Sequence, residues 1–130
     1  METPTEVLDR LYQLWNSDGL SVLVDSVDPA VELVCDPLRP DATVLRGIEG
    51  WRHWAARWEE GYAAMHITVD ALVPVDRENV LAFVSIKATS RAGHEELTWA
   101  AAHMWTVRNG RVARWETHLD LGAARRTLEP

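Results

Sequence analysis

Apolar residues recur at spacings of three and four in the first part of the chain, where Val7, Leu8, Leu11, Leu14 and Trp15 fall on one stripe. That period predicts a helix. Thr3, Pro4 and Glu6 precede it as cap, first-turn proline and capping-box partner, and "NSDG" at 16–19 ends it. "LSVLVDSV" reads as a second short helix after the break. "AVELVCDP", bounded by Pro29 and Pro37, reads as a short strand, and "LRPDATVLRG" as a loop. From Gly47 to about Ala64 the spacing turns helical again, with Ile48, Trp51, Trp54, Ala55 and Trp58 on one face. Four strand-like stretches follow, at about 66–75, 80–91, 95–108 and 111–120, separated by "DREN", "AG" and "NG". "LGAARRTLEP" closes the chain as a short helix or tail. Helix, helix, strand, helix and then an antiparallel meander make an α+β arrangement in a single domain, 1–130.

One imidazole interrupts the apolar alternation of "LTWAAAHMWTV" at 97–107, and His103 shares its strand face with Leu97, Trp99, Ala101, Trp105 and Val107. Asn109-Gly110 is a strong two-residue turn signal. Pairing Arg108 with Arg111 and counting outward sets Trp105 opposite Arg114, His103 opposite Glu116 and Ala101 opposite His118. Ala92-Gly93 sets the other hairpin, with Ala82 opposite His103 and Val84 opposite Ala101. Small side chains beside a His–Glu pair leave room for a ligand. A carboxylate partner raises the imidazole pKa and burial lowers it, so the resting charge stays open at this point. The plainer alternative is a hydrogen-bonded polar pair within a core.

Composition narrows the partners. The formal net charge is −7 with no basic run, which argues against nucleic acid. Hydrophobic residues at 47% and charged residues at 25% suit one folded domain. No apolar window is long enough to span a membrane, and "METPTEVLDR" is acidic where a signal peptide is basic. The lone Cys35 fits a reducing compartment, so a cytoplasmic location is expected. Seven Trp against one Phe supply wide indole faces for a core or an apolar pocket. His103, Glu116 and His118 share a face in this register, but no metal-binding motif accompanies them and no metal is expected. His53, His66 and His94 read as surface or boundary residues.

The stretch "YQLWNSDGLSVLVDSVDPAVELVCDPLRPDATVLRGIEGWRHW", followed by "AHMWTVRNGRVARWETHLD", resembles the SnoaL-like proteins of the nuclear transport factor 2-like superfamily over about residues 5–125. The resemblance implies a cone-shaped α+β barrel: three N-terminal helices packed on a strongly curved, mainly antiparallel sheet, with a pocket between them, often as a homodimer. It implies no metal. Asp36 is similar in place to the general base of ketosteroid isomerases, and His103 falls near their acidic hydrogen-bond donor. The place of their oxyanion-binding tyrosine reads Leu11, with Tyr12 next to it on another helical bearing. The places that carry the charged residues of limonene-epoxide hydrolases read Val84, Ile86 and Thr117, so that chemistry is not expected.

These readings converge on a cofactor-free acid/base enzyme of isomerase, cyclase or lyase type, related to polyketide cyclases and acting on a mostly apolar small molecule such as a cyclic ketone. Asp36, His103 and Glu116 are the catalytic candidates. Tyr12, Trp15, Trp51, Trp54, Trp58, Trp99, Trp105 and His118 are the candidate substrate-binding residues. For Asp36 the alternative is a turn residue before Pro37, and for the tryptophans it is core packing. The alternative for the whole chain is a non-catalytic binding or assembly module on the same cone. Dimerisation is expected through an outer sheet face carrying Ala102, Met104, Trp115 and Leu119.

Overall fold

The computed structural model describes residues 2–35 and 43–128. Asp36, the expected general base, lies outside the described residues.

Helix α1 spans Pro4–Asp18 and opens on a complete capping box: the Glu6 amide donates to Thr3 Oγ1 at 3.2 Å, and the Thr3 amide donates to Glu6 Oε1 at 3.2 Å. Reciprocal satisfaction of otherwise orphaned amides fixes where the helix starts. Gly19 ends it at φ 94°, and its amide reaches back to the Trp15 carbonyl at 3.0 Å. The stretch expected as a second helix is a 3-10 turn over Leu20–Ser26. Strand β1 (Val27–Cys35) then leads towards β2 (Thr43–Arg46), a short edge strand antiparallel to β1. The loop expected over 38–47 therefore contains a strand. α2 spans Gly47–Gly61 and is followed by β3 (Tyr62–Pro74), β4 (Asn79–Ser90), β5 (Glu96–Arg108), β6 (Arg111–His118) and α3 (Leu121–Arg126).

The six strands form one open sheet in the order β2-β1-β6-β5-β4-β3, antiparallel except for the β1–β6 pair. α1, the 3-10 turn and α2 cover one face, and α3 lies on the other against β5. The main core sits under the first three, where Leu8, Leu11, Tyr12, Leu23, Trp51, Trp105 and Trp115 are buried. A smaller cluster of Leu81, Ala102 and Ala124 lies beneath α3. Bulges interrupt β3 between Tyr62 and Ala64 and again between Val69 and Ala71, and such extra residues bend and twist a strand. This is the α+β fold expected from the sequence, with the sheet curved but not closed.

The closing hairpin turns at Asn109-Gly110 with φ of 53° and 77°, as expected. Its first pairs, Arg108 with Arg111 and Val107 with Val112, also follow the count, but Thr106 then pairs with Arg114. Ala113 is an extra residue in β6. The slip of one inverts every later face assignment: Trp105 meets Trp115, His103 meets Thr117, and Met104 meets Glu116. The expected His103–Glu116 pair does not form. On the other side the register holds, with Ala82 opposite His103 and Val84 opposite Ala101.

The outward edge of β3 has no strand partner, and Asn16 near the end of α1 covers part of it. Its side-chain amide donates to the Ile67 carbonyl at 2.8 Å, and its Oδ1 accepts from the Ile67 amide at 2.8 Å. One side chain thus imitates a neighbouring strand and ties α1 to the sheet edge. Asn16→Ala is expected to lower stability by about 2 kcal/mol, because both backbone groups of a buried residue lose their partner. The measurement is urea denaturation, with a lower midpoint at unchanged slope. A loss under about 0.5 kcal/mol would show that water serves that edge equally well.

Candidate functional site

β5 directs His103 towards the helices, where only 2% of the residue remains exposed. Its Nδ1 lies 2.6 Å from Tyr12 Oη, which α1 brings in across the core. Trp105, two residues along the same strand face, donates its indole Nε1–H to the same Oη at 2.8 Å. An indole nitrogen can only donate, so Tyr12 Oη accepts from Trp105 and directs its single proton to Nδ1. The reverse arrangement would strand a buried hydroxyl hydrogen at a cost of about 1–3 kcal/mol. The imidazole is therefore held with its proton on Nε2, for which there is no protein partner among the described residues. Burial lowers the His103 pKa to about 3, with His118 adding to the effect, so the ring is neutral at physiological pH. Burial pushes the Tyr12 hydroxyl well above the usual phenol range, which keeps its proton in place.

His103 lines a cavity of about 530 Å³ between α2 and the sheet, a size that holds a small organic ligand. Trp15, Trp54, Trp58, Trp99 and Trp115 share its wall with Tyr62, Met65, Ile86 and Thr117. Trp15 stacks near the imidazole at 6.2 Å between ring centres and 15° between planes, and Trp115 meets it edge-on at 5.2 Å. Trp58 and Trp99 lie 6.2 Å apart at 12°. The indole nitrogens of Trp54 and Trp115 are buried without a hydrogen-bond partner among the described residues. Cys35, the last described residue of β1, also reaches this wall.

Of the candidates named from sequence, Trp15, Trp54, Trp58, Trp99 and His103 are brought together at the cavity. Tyr12 and Trp105 stand behind His103 and set its tautomer rather than touching the space. Trp51 is fully buried in the core, packed on Trp115 at 5.6 Å. Glu116 and His118 lie on the opposite sheet face because of the Ala113 bulge. There Glu116 accepts from Arg114 Nε at 2.9 Å and pairs with His118 Nε2 at 3.1 Å, while Arg114 also reaches Glu32 at 3.2 Å. The His118 and Arg114 contacts hold the Glu116 carboxyl below its ordinary range, against the opposing effect of burial. Trp115, expected on the outer face, is instead a central wall residue. Its signal was the alternation of β6, readable only once the bulge is placed.

A depressed histidine pKa makes stability depend on pH with a definite sign. Above pH 6.5 the ring is neutral folded and unfolded alike; below it the unfolded chain takes up a proton that the native site refuses, down to about pH 3. Stability is expected to fall as pH drops from 6.5, before Glu116 begins to protonate. The His103 ring resonances in NMR should stay unshifted between pH 8 and 5. A His103 titration midpoint near 6.5 would show that the ring is solvated and the Tyr12 bond is not maintained.

No curated protein matches the chain. A putative SnoaL-like polyketide cyclase from Jannaschia sp. CCS1 shares the fold at 17% identity, covering 98% of this chain and 92% of its own, with a TM-score of 0.77. TerC, co-crystallised with polyporic acid, is 18% identical over 98% of both chains with a TM-score of 0.74. A protein of ketosteroid isomerase-like fold from Catenulispora acidiphila, in complex with trimethylamine, is 14% identical over 90% of this chain and 86% of its own, also at 0.74. At these identities the likeness is one of fold. The model of the SnoaL-like domain matches residues 8–115, from the first buried turn of α1 to Trp115 in the cavity wall, and the chain belongs to that family.

Proposed function

We propose that the chain is an acid/base enzyme of isomerase, cyclase or lyase type that takes a mostly apolar cyclic carbonyl compound into the tryptophan-lined cavity. The observation that carries this reading is the neutral His103, fixed by Tyr12 as an Nε2–H donor beside the space. A group of such low basicity does not give up charge to a ligand. It offers a directed hydrogen bond to an oxygen whose negative charge grows during reaction, in surroundings of low polarity where that bond is strengthened.

Asp36 is proposed as the base, from its place in the sequence directly after Cys35. Its carboxylate would take a proton from the carbon next to the carbonyl. The electron pair moves onto oxygen, which accepts from His103 Nε2–H, and the carboxylic acid then returns a proton to the same or a conjugated carbon. Enolisation of this kind needs no cofactor. His103 Nε2–H, a donor without a protein partner among the described residues, suits an acceptor-rich ligand such as the polyporic acid seen with TerC better than a cation such as trimethylamine.

No helix among the described residues is long and apolar enough to cross a membrane. A cytoplasmic homodimer is proposed alongside the chemistry, on changed grounds for the contact. Of its expected residues, Trp115 belongs to the core, Ala102 lies under α3 and Leu119, 56% exposed, borders the main cavity, which leaves the half-buried Met104.

The probe 2-tetralone, a flat bicyclic ketone with acidic C–H bonds, tests the chemistry. The protein should accelerate its deuterium exchange in heavy water, read by NMR, and Asp36→Asn should reduce the gain roughly 10²- to 10⁴-fold with binding retained. His103→Gln should lower it at least about ten-fold. Binding of 2-tetralone with no exchange above buffer would make the chain a binding module instead. Light scattering that gives only a 14.7 kDa species at micromolar concentration would remove the dimer.

A further inference from the structure

A smaller compartment of about 250 Å³ adjoins the main cavity, and Cys35, Trp54, Trp115 and Thr117 line both. Its remaining wall differs in chemistry: Arg57 from α2 and Thr43 from β2 stand there beside Leu33, Val34 and Leu45. Arg57 makes no hydrogen bond or ion pair among the described residues, whereas Arg10, Arg46, Arg52, Arg108 and Arg114 each pair with a carboxylate. In a chain of net charge −7, an uncommitted guanidinium at a cavity wall is conspicuous.

We infer that this compartment is a carboxylate subsite, in which Arg57 receives the acid group of a ligand whose apolar ring lies in the main cavity. The inference rests on the proposed reading of that cavity and adds the ligand's class, an aromatic or alicyclic carboxylic acid. Thr43 and Thr117 hydroxyls line the same space and can donate as well. Every one of these groups supplies hydrogens, and an ionised carboxylate only accepts them. A cation would find the guanidinium opposed to it and no carboxylate among the described residues lining the compartment. Arg57 lies one turn from Trp54 on α2, so the helix that walls the ring's space also positions the charge.

The experiment compares 2-naphthoate with its uncharged analogue 2-acetonaphthone by titration calorimetry at low salt, on the native chain and on Arg57→Gln and Arg57→Lys. Arg57 is exposed and outside the core, so both variants should fold, which a thermal melt verifies. Naphthoate should bind the native chain about ten-fold more tightly than the ketone, a margin expected for a charge-assisted contact. Arg57→Gln should erase the preference while leaving ketone affinity unchanged, Arg57→Lys should retain part of it, and 0.5 M salt should weaken it. If the ketone binds and naphthoate is no better, or if the preference survives Arg57→Gln, the subsite is refuted while the cavity reading stands. If neither compound binds, both fall together.

Discussion

The hydroxyl of Tyr12 is the point on which the site depends. It accepts from Trp105, donates to His103, and lies where the first helix crosses the middle of the sheet, so one oxygen joins α1 to two positions on β5. Removing it would leave a buried indole hydrogen and a buried ring nitrogen unpaired, and nothing else among the described residues would fix the histidine's tautomer. The packing obeys the same constraint. Trp105 stacks on Trp115 at 4.7 Å and 8°, and Trp115 in turn touches Trp15, Trp51 and Trp54. The orientation of the imidazole is inherited from the aromatic core beneath it.

This dependence separates two uses of polarity in the protein. On the outer face, Glu32, Arg114, Glu116 and His118 form a connected chain of ion pairs and a hydrogen bond, with His118 Nδ1 buried and without a partner among the described residues. On the inner face the polar atoms are few, and the indole nitrogens of Trp54 and Trp115 lack partners among the described residues. Partly solvated ion pairs such as Glu32–Arg114 contribute little to stability. The His103 Nε2–H, without a protein partner among the described residues, is left for a ligand to satisfy.

Much of this was legible in the chain. The three-and-four spacing from Val7 to Trp15 and from Ile48 to Trp58 gave both long helices, because amphipathic burial leaves a period that survives without any knowledge of the partner surface. Asn109-Gly110 located the last hairpin through its need for positive φ. The inner-face position of His103, its small neighbours Ala82 and Ala101, and most of the cavity tryptophans followed. The failures have one physical source each. A single inserted residue at Ala113 has no compositional mark, yet it exchanges Glu116 for Thr117 opposite His103. β2 is four residues of mostly exposed edge strand, held by pairing with β1 rather than by a pattern of its own. The Tyr12–His103 bond joins residues 91 apart in the chain, and no local rule reports on such a contact.

Trp115 stands between the two compartments and at the centre of the core, and the double placement limits how this protein can diverge. A smaller side chain there would merge the two spaces into one larger chamber, but it would also remove the surface on which Trp51 and Trp105 rest. Volume and stability are coupled at that position, so descendants selecting for bulkier molecules have easier routes at Trp58 and Trp99, which are only partly buried and border the cavity away from the central stack. The partition is thereby the slowest feature of the pocket to change, and the rim the fastest.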